Sequence, residues 1–160
     1  MNEENKFYNV LNCELVYSDE LAEEIYQLEN KAYEHAAGFD LRACFDYDEI
    51  RVLPQSTKLV NTGLKIWIKN PNIVGLIYPR SGLGCTKGIN LGNSVGVIDA
   101  DYQGELKVCL FNRTQEPFVI KHGDKIAQLV LTPIIHPNFN IVSEFSNKTQ
   151  RNEKGFGSSG

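Results

Sequence analysis

The heptapeptide "ELKVCLF" (residues 105–111) alternates: Leu106, Val108 and Leu110 fall on one side, Lys107 and Cys109 on the other. A period of two marks a β-strand with one face turned to a core, because successive side chains leave an extended backbone in opposite directions. Similar runs lie on either side of it: "KLVNTGLKIWI" (58–68), "NIVGLIY" (72–78), "KIAQLVL" (125–131) and "FNIV" (139–142). Between them stand "KNPN", "SGLG", "NRTQEP", "KHGD" and "IHPN", rich in the Gly, Pro, Asn and Asp that reverse a chain. From about residue 39 onward the pattern predicts an all-β protein: a sandwich, jelly roll or barrel.

One stretch dissents. "SDELAEEIYQLENKAY" (18–33) repeats Leu21, Ile25 and Leu28 at helical spacing, with Asp19 and Glu20 suited to a first turn. A short surface helix is expected near residues 18–30, with Ser18 as its N-cap and a solvated acidic face.

The 160 residues suit a single β domain, 1–150, followed by the Gly/Ser-rich segment 151–160. Hydrophobic residues make up 42% and charged residues 22%, the ordinary balance of a globular domain. A net charge of −4 argues against a nucleic-acid surface, which would need many cations for phosphates. A small phosphorylated ligand is compatible with it where positive charge gathers locally. No apolar run reaches the length of a membrane span, and none at the N-terminus resembles a signal peptide. Cys13, Cys44, Cys85 and Cys109 form no C-x-x-C pair, which disfavours a zinc ribbon and a thioredoxin-like site. The expectation is a cytoplasmic protein with reduced thiols.

Five stretches bear on chemistry. "GNSVG" (92–96) matches G-x-S-x-G, yet the residues after Ser94 have no helical period, so the strand–serine–helix context of a nucleophile elbow is missing. "YPRSGLG" (78–84) is either a plain tight turn or a phosphate-binding turn. In the second case Arg80 and Ser81 supply donors, and Gly82 lets a backbone N–H approach a ligand. "NSVGVIDADYQGELKV" (93–108) suggests a β-hairpin whose tip carries two acids and an aromatic ring. It either holds a water beside a pocket or is a turn capped by Asp99 or Asp101. In "GDKIAQLVL" (123–131), Gln128 interrupts an apolar strand and either faces solvent or reaches a ligand. The end, "RNEKGFGSSG" (151–160), is either a plain terminus or an arm carrying Arg151 and Phe156.

Taken in order, "AGFDLRA" (37–43), "PRSGLG" (79–84), "GVIDADYQGELKV" (96–108), "GDKIAQLV" (123–130) and "RNEKGFGSSG" (151–160) resemble the five motifs of the trimeric dUTPase family. The resemblance implies a jelly-roll-like β fold, a homotrimer with active sites between subunits, and Mg²⁺-assisted hydrolysis of dUTP to dUMP and diphosphate. Such an activity limits uracil incorporation into DNA and supplies dUMP for thymidylate synthesis. By the same resemblance Asp99 would be the general base for the water attacking the α-phosphorus. Tyr102 would pack on the deoxyribose, and Gly96, Val97, Ile98 and Asp99, with Asn93 nearby, would read the uracil. Arg80, Ser81 and Gly82 would hold phosphates with support from Gln128, and Lys107 would contact the nucleotide. Asp40 would act on the metal through water. Residues 151–160 would be a mobile arm closing over a neighbouring site, with Phe156 on the uracil and Arg151, Gly157, Ser158 and Ser159 at the phosphates. The arm departs from the family at Asn152 and Lys154, where glycine is usual. The helical segment before the first motif is a second departure. A dCTP deaminase of the same fold would need a catalytic glutamate and would lack the "DADYQG" tip. A module that binds dUTP without turning it over would have no use for Asp99.

Overall fold

In a computed structural model, which describes residues 11–26, 36–153 and 155, the alternating segments build two four-stranded sheets and a small two-stranded one. The elements are β1 (Glu14–Tyr17), α1 (Glu20–Tyr26), β2 (Phe39–Arg42), β3 (Ile50–Val52), β4 (Ser56–Trp67) and β5 (Ile73–Tyr78). A π-helical turn (Gly82–Thr86), β6 (Ile89–Leu91), β7 (Gly96–Ile98), β8 (Glu105–Asn112), β9 (Phe118–Ile120) and β10 (Lys125–Pro133) complete them. The first sheet runs β1-β4-β8-β6, the second β2-β10-β5-β7, and β3 pairs with β9. All pairings are antiparallel, in the jelly-roll-like arrangement expected.

Leu106, Val108 and Leu110 of β8 are each 1% exposed, and they meet Val60, Leu64 and Ile66 of β4 and Leu41, Ile77, Ile126 and Leu129 of the other sheet in one core. Lys107 on the opposite face is exposed. The strand with the clearest period is thus the centre of the first sheet.

Within the described residues the helix spans Glu20–Tyr26, and expected positions 27–33 lie outside them. Its cap is Asp19, not Ser18: the Asp19 carboxylate accepts the Ala22 N–H at 2.9 Å, three residues on, as an N-cap does. Ser18 instead donates its backbone N–H to the Gly63 carbonyl at 2.8 Å, so it belongs to the end of β1. Glu20, Glu23 and Glu24 are exposed, as expected, and Ala22 is fully buried against Gly63 of β4. Gly63 has φ +72°, and a side chain there would meet the Ala22 Cβ at 2.5 Å and the Cys44 Sγ at 2.8 Å.

Two expected strand features are not formed. The hairpin of residues 93–108 does not close on itself. β7 pairs with β5 in the second sheet and β8 with β4 and β6 in the first, so "DADYQG" crosses between sheets. "FNIV" (139–142) is not a strand. From Ile134 onward the described chain is largely exposed, with Ile135 92%, Ile141 96% and Phe145 91% accessible.

Candidate active site

Three of the sequence stretches converge at one end of the second sheet. In β2, Asp40 lies opposite Gln128 of β10, and Gln128 in turn lies opposite Tyr78 at the end of β5. Gln128 does not face solvent: its side-chain amide donates to the Pro79 carbonyl at 3.0 Å, tying β10 to the turn after β5. Gly38 makes this placement feasible, because a Cβ there would sit 2.6 Å from the Gln128 Oε1. The Asp40 carboxylate accepts from Arg80 Nε at 2.9 Å through one oxygen and from Lys125 Nζ at 2.8 Å through the other. These groups are partly exposed, so the ion pairs add little to stability. They do fix two cations side by side, beside the turn.

That turn is a π-helical loop. The Gly84 N–H donates to the Arg80 carbonyl at 2.9 Å, and the Arg113 guanidinium donates to the Gly84 carbonyl at 2.8 Å. Ser81 leads into it without a side-chain capping bond, and no atom lies within 4 Å of where a Gly82 Cβ would stand. Two cations, a hydroxyl and an unobstructed backbone at one turn can receive phosphate oxygens.

A second group lies elsewhere. Asp99, Val97, Ile98, Tyr102, Glu105 and Lys107 line a cavity of about 290 Å³, at the small end of ligand pockets and sufficient for part of a nucleotide. The Tyr102 N–H donates to the Asp99 carbonyl at 3.1 Å and its hydroxyl to the Glu105 carbonyl at 3.1 Å, so the ring is held at both ends. It lies over Gly104, where a Cβ would come 2.6 Å from the ring carbon bearing the hydroxyl. Gly96 packs its backbone on Ile77, and β7 is the edge strand of its sheet. One row of its backbone groups is therefore unpaired by any strand among the described residues, as reading a base edge would require. Asn93 lies just before β7, exposed, its carbonyl accepting the Val95 N–H at 2.7 Å.

The register keeps the two groups apart. Ile98 lies opposite Gly75, so Asp99 runs on toward the start of β5, whereas Arg80 comes after its end at Tyr78. Gly75 and Tyr78 alone are separated by about 10 Å along the strand, and Asp99 and Arg80 diverge further.

Of the arm, Arg151 is exposed, and Phe156, Gly157, Ser158 and Ser159 lie outside the described residues. Ser94 has φ +65° between β6 and β7 with no helix after it, so G-x-S-x-G is no nucleophile elbow. The His122 ring accepts the Phe45 N–H, and His136 lies against the Pro71 carbonyl. Lys125 was missed by the sequence reading. Its one signal is a lysine immediately after the "GD" turn, and its meaning depends on the β2–β10 pairing.

No cluster of three or more His, Cys, Asp or Glu side chains able to hold a metal occurs among the described residues. A single carboxylate, Asp40, beside a phosphate-type turn fits Mg²⁺, which keeps waters and takes phosphate oxygens, and does not fit a caged ion. No described helix is long and apolar enough to cross a membrane.

A deoxyuridine 5'-triphosphate nucleotidohydrolase from Haemophilus influenzae is 52% identical over 135 residues, 84% of this chain and 88% of that protein. Its namesake from Psychrobacter cryohalolentis is 48% identical over 135 residues, 84% and 87% of the two chains. The structure of the Staphylococcus bacteriophage 80alpha dUTPase with dUPNHPP superposes with a TM-score of 0.76 at 25% identity, covering 94% of this chain and 99% of that one. The dUTPase family model matches residues 25–160, which takes in all five sequence motifs, and the chain belongs to the dUTPase family.

Proposed function

We propose that the chain hydrolyses dUTP to dUMP and diphosphate in sites completed between the subunits of a homotrimer. The observation that carries this reading is the division of the functional residues into two groups at opposite ends of β5. We read a triphosphate end (Arg80, Ser81, Gly82, Lys125, Gln128) and a nucleoside end (Asn93, Gly96 to Asp99, Tyr102, Lys107) as meeting on one substrate from different copies. The exposed apolar side chains of 134–145 agree, because so much uncovered Ile and Phe marks a surface made for another chain.

In this reading β7 presents its backbone edge to the uracil, and Tyr102 stacks on the deoxyribose where a 2′-hydroxyl would collide. Asp99, which lines the cavity, orients a water and takes its proton as that water attacks the α-phosphorus. Arg80 and Lys125 neutralise phosphate charge, while Ser81 and the Gly82 backbone fix the phosphates in line, since phosphoryl transfer needs positioning and charge compensation above all. Asp40 would meet Mg²⁺ through its water shell, and the ion would supply further neutralisation of the triphosphate. Residues 151–160 would close a neighbouring site, with Phe156 on the base and Arg151, Gly157, Ser158 and Ser159 on the γ-phosphate.

The test is diphosphate release from dUTP, dCTP and dTTP compared side by side with Mg²⁺. Strong preference for dUTP is expected. Tight dUTP binding without turnover would replace the enzyme with a nucleotide-sensing module, and ammonia release from dCTP would point to a deaminase.

A further inference from the structure

We propose that Tyr26, from the helix preceding the first motif, is a positioning residue for the phosphate end of the site; this rests on the reading of that end given above. β2 is four residues long and is the outer strand of its sheet. Backbone groups alternate in direction along a strand. Ala43 just after β2 bonds inward, donating to the Asp124 carbonyl and accepting from Gly123. Arg42 faces outward, where no strand of the described residues meets it.

Tyr26 fills that edge. Its hydroxyl accepts the Arg42 N–H at 2.7 Å and donates to the Arg42 carbonyl at 3.3 Å. Its ring stacks on Phe39, centroids 5.9 Å apart and planes 13° apart, and on Tyr17 at 6.5 Å. One side chain thus grips both ends of β2, residue 39 by its ring and residue 42 by its hydroxyl. Asp40 lies between the two grips, holding Arg80 and Lys125. A strand secured on one side only would let the carboxylate shift, and both cations with it. The helix therefore stiffens the phosphate end through the backbone, without touching substrate.

The hydroxyl is removed in Tyr26→Phe, which leaves the ring stack. Calorimetric titration with inorganic triphosphate should weaken about fivefold, as expected for the loss of one hydrogen-bonded group, while deoxyuridine binding stays unchanged. The KM for dUTP should rise in parallel with kcat held within about twofold. In an Asp40→Asn background the same substitution should have no effect on triphosphate binding, since its route runs through that carboxylate. A purely structural hydroxyl would lower the melting temperature and leave triphosphate binding where it was. That result, or an undiminished effect without Asp40, overturns the proposal. Direct binding needs no turnover, so failure of the proposed reaction would show separately in the dUTP assay of the unmodified protein. If Tyr26→Phe does not fold, hydrogen exchange of the Arg42 amide in the unmodified protein decides: protection is expected, and exchange at the rate of an open strand edge refutes the clamp.

Discussion

Mixing two inactive variants tests the shared-site geometry most directly. Arg80→Ala removes the guanidinium bonded to Asp40 at 2.9 Å, and Asp99→Asn removes a carboxylate lining the cavity beside β7. Each alone should lower kcat/KM by about tenfold to a hundredfold or more, for loss of a charged phosphate contact or of a general base. The β5–β7 register places the two residues toward opposite ends of β5, and in the proposed arrangement each site would take them from different subunits. When equal amounts are unfolded together and refolded, a site is intact only if its Arg80 donor comes from the Asp99→Asn chain and its Asp99 donor from the Arg80→Ala chain. Each condition holds half the time, so about a quarter of wild-type activity should return in a statistically mixed trimer. Activity is read as diphosphate release and subunit exchange by native mass spectrometry. Exchange without recovery above the two parents would refute the argument, because it would place Arg80 and Asp99 in one site of one chain.

Tyr102→Ala should relax sugar discrimination, raising the UTP-to-dUTP ratio of kcat/KM by up to about a hundredfold, whereas Tyr102→Phe, which retains the ring, should not. Gly63→Ala should cost roughly 2–4 kcal/mol, because a positive φ and overpacking against Ala22 and Cys44 act together; thermal melting reads it, and Ala22→Gly in the same chain should recover part of the loss. Lys125→Gln should raise the KM for dUTP about threefold to tenfold, more at low salt than at high, and an unchanged KM would reduce the ammonium to a partner of Asp40 alone. Burial pushes the Tyr26 hydroxyl from its ordinary 10.0 up to about 12. The folded state therefore keeps the proton longer than the unfolded one, and the associated stability, complete below pH 10, is lost as pH rises toward 12. Alkaline melting curves of Tyr26→Phe should decline less steeply across that window.

Much of this protein was legible along the chain because its signals are local. Alternation in "ELKVCLF" specifies both a strand and its buried face, and Leu106, Val108 and Leu110 are buried together. The "PRSGLG" turn and the "DADYQG" tip carry their donors, acids and aromatic ring in adjacent residues, so both could be singled out as candidate sites along the chain. The helix at 20–26 came from its period, although its cap moved by one residue to the side chain that reaches the N–H three positions on. What tertiary structure alone decided is pairing. Sequence period says that β8 is a strand, but not that β7 and β8 enter different sheets, because that choice is made by partners distant in sequence, β5 for one and β4 and β6 for the other. The grip of Lys125 and Arg80 on Asp40 joins residues 85 and 40 positions apart, and the grip of Tyr26 on β2 depends on which strand is left at an edge. A residue's own neighbours in sequence encode its conformation and its face. Its partners across the fold are selected by the packing free energy of the whole chain, which no short window contains.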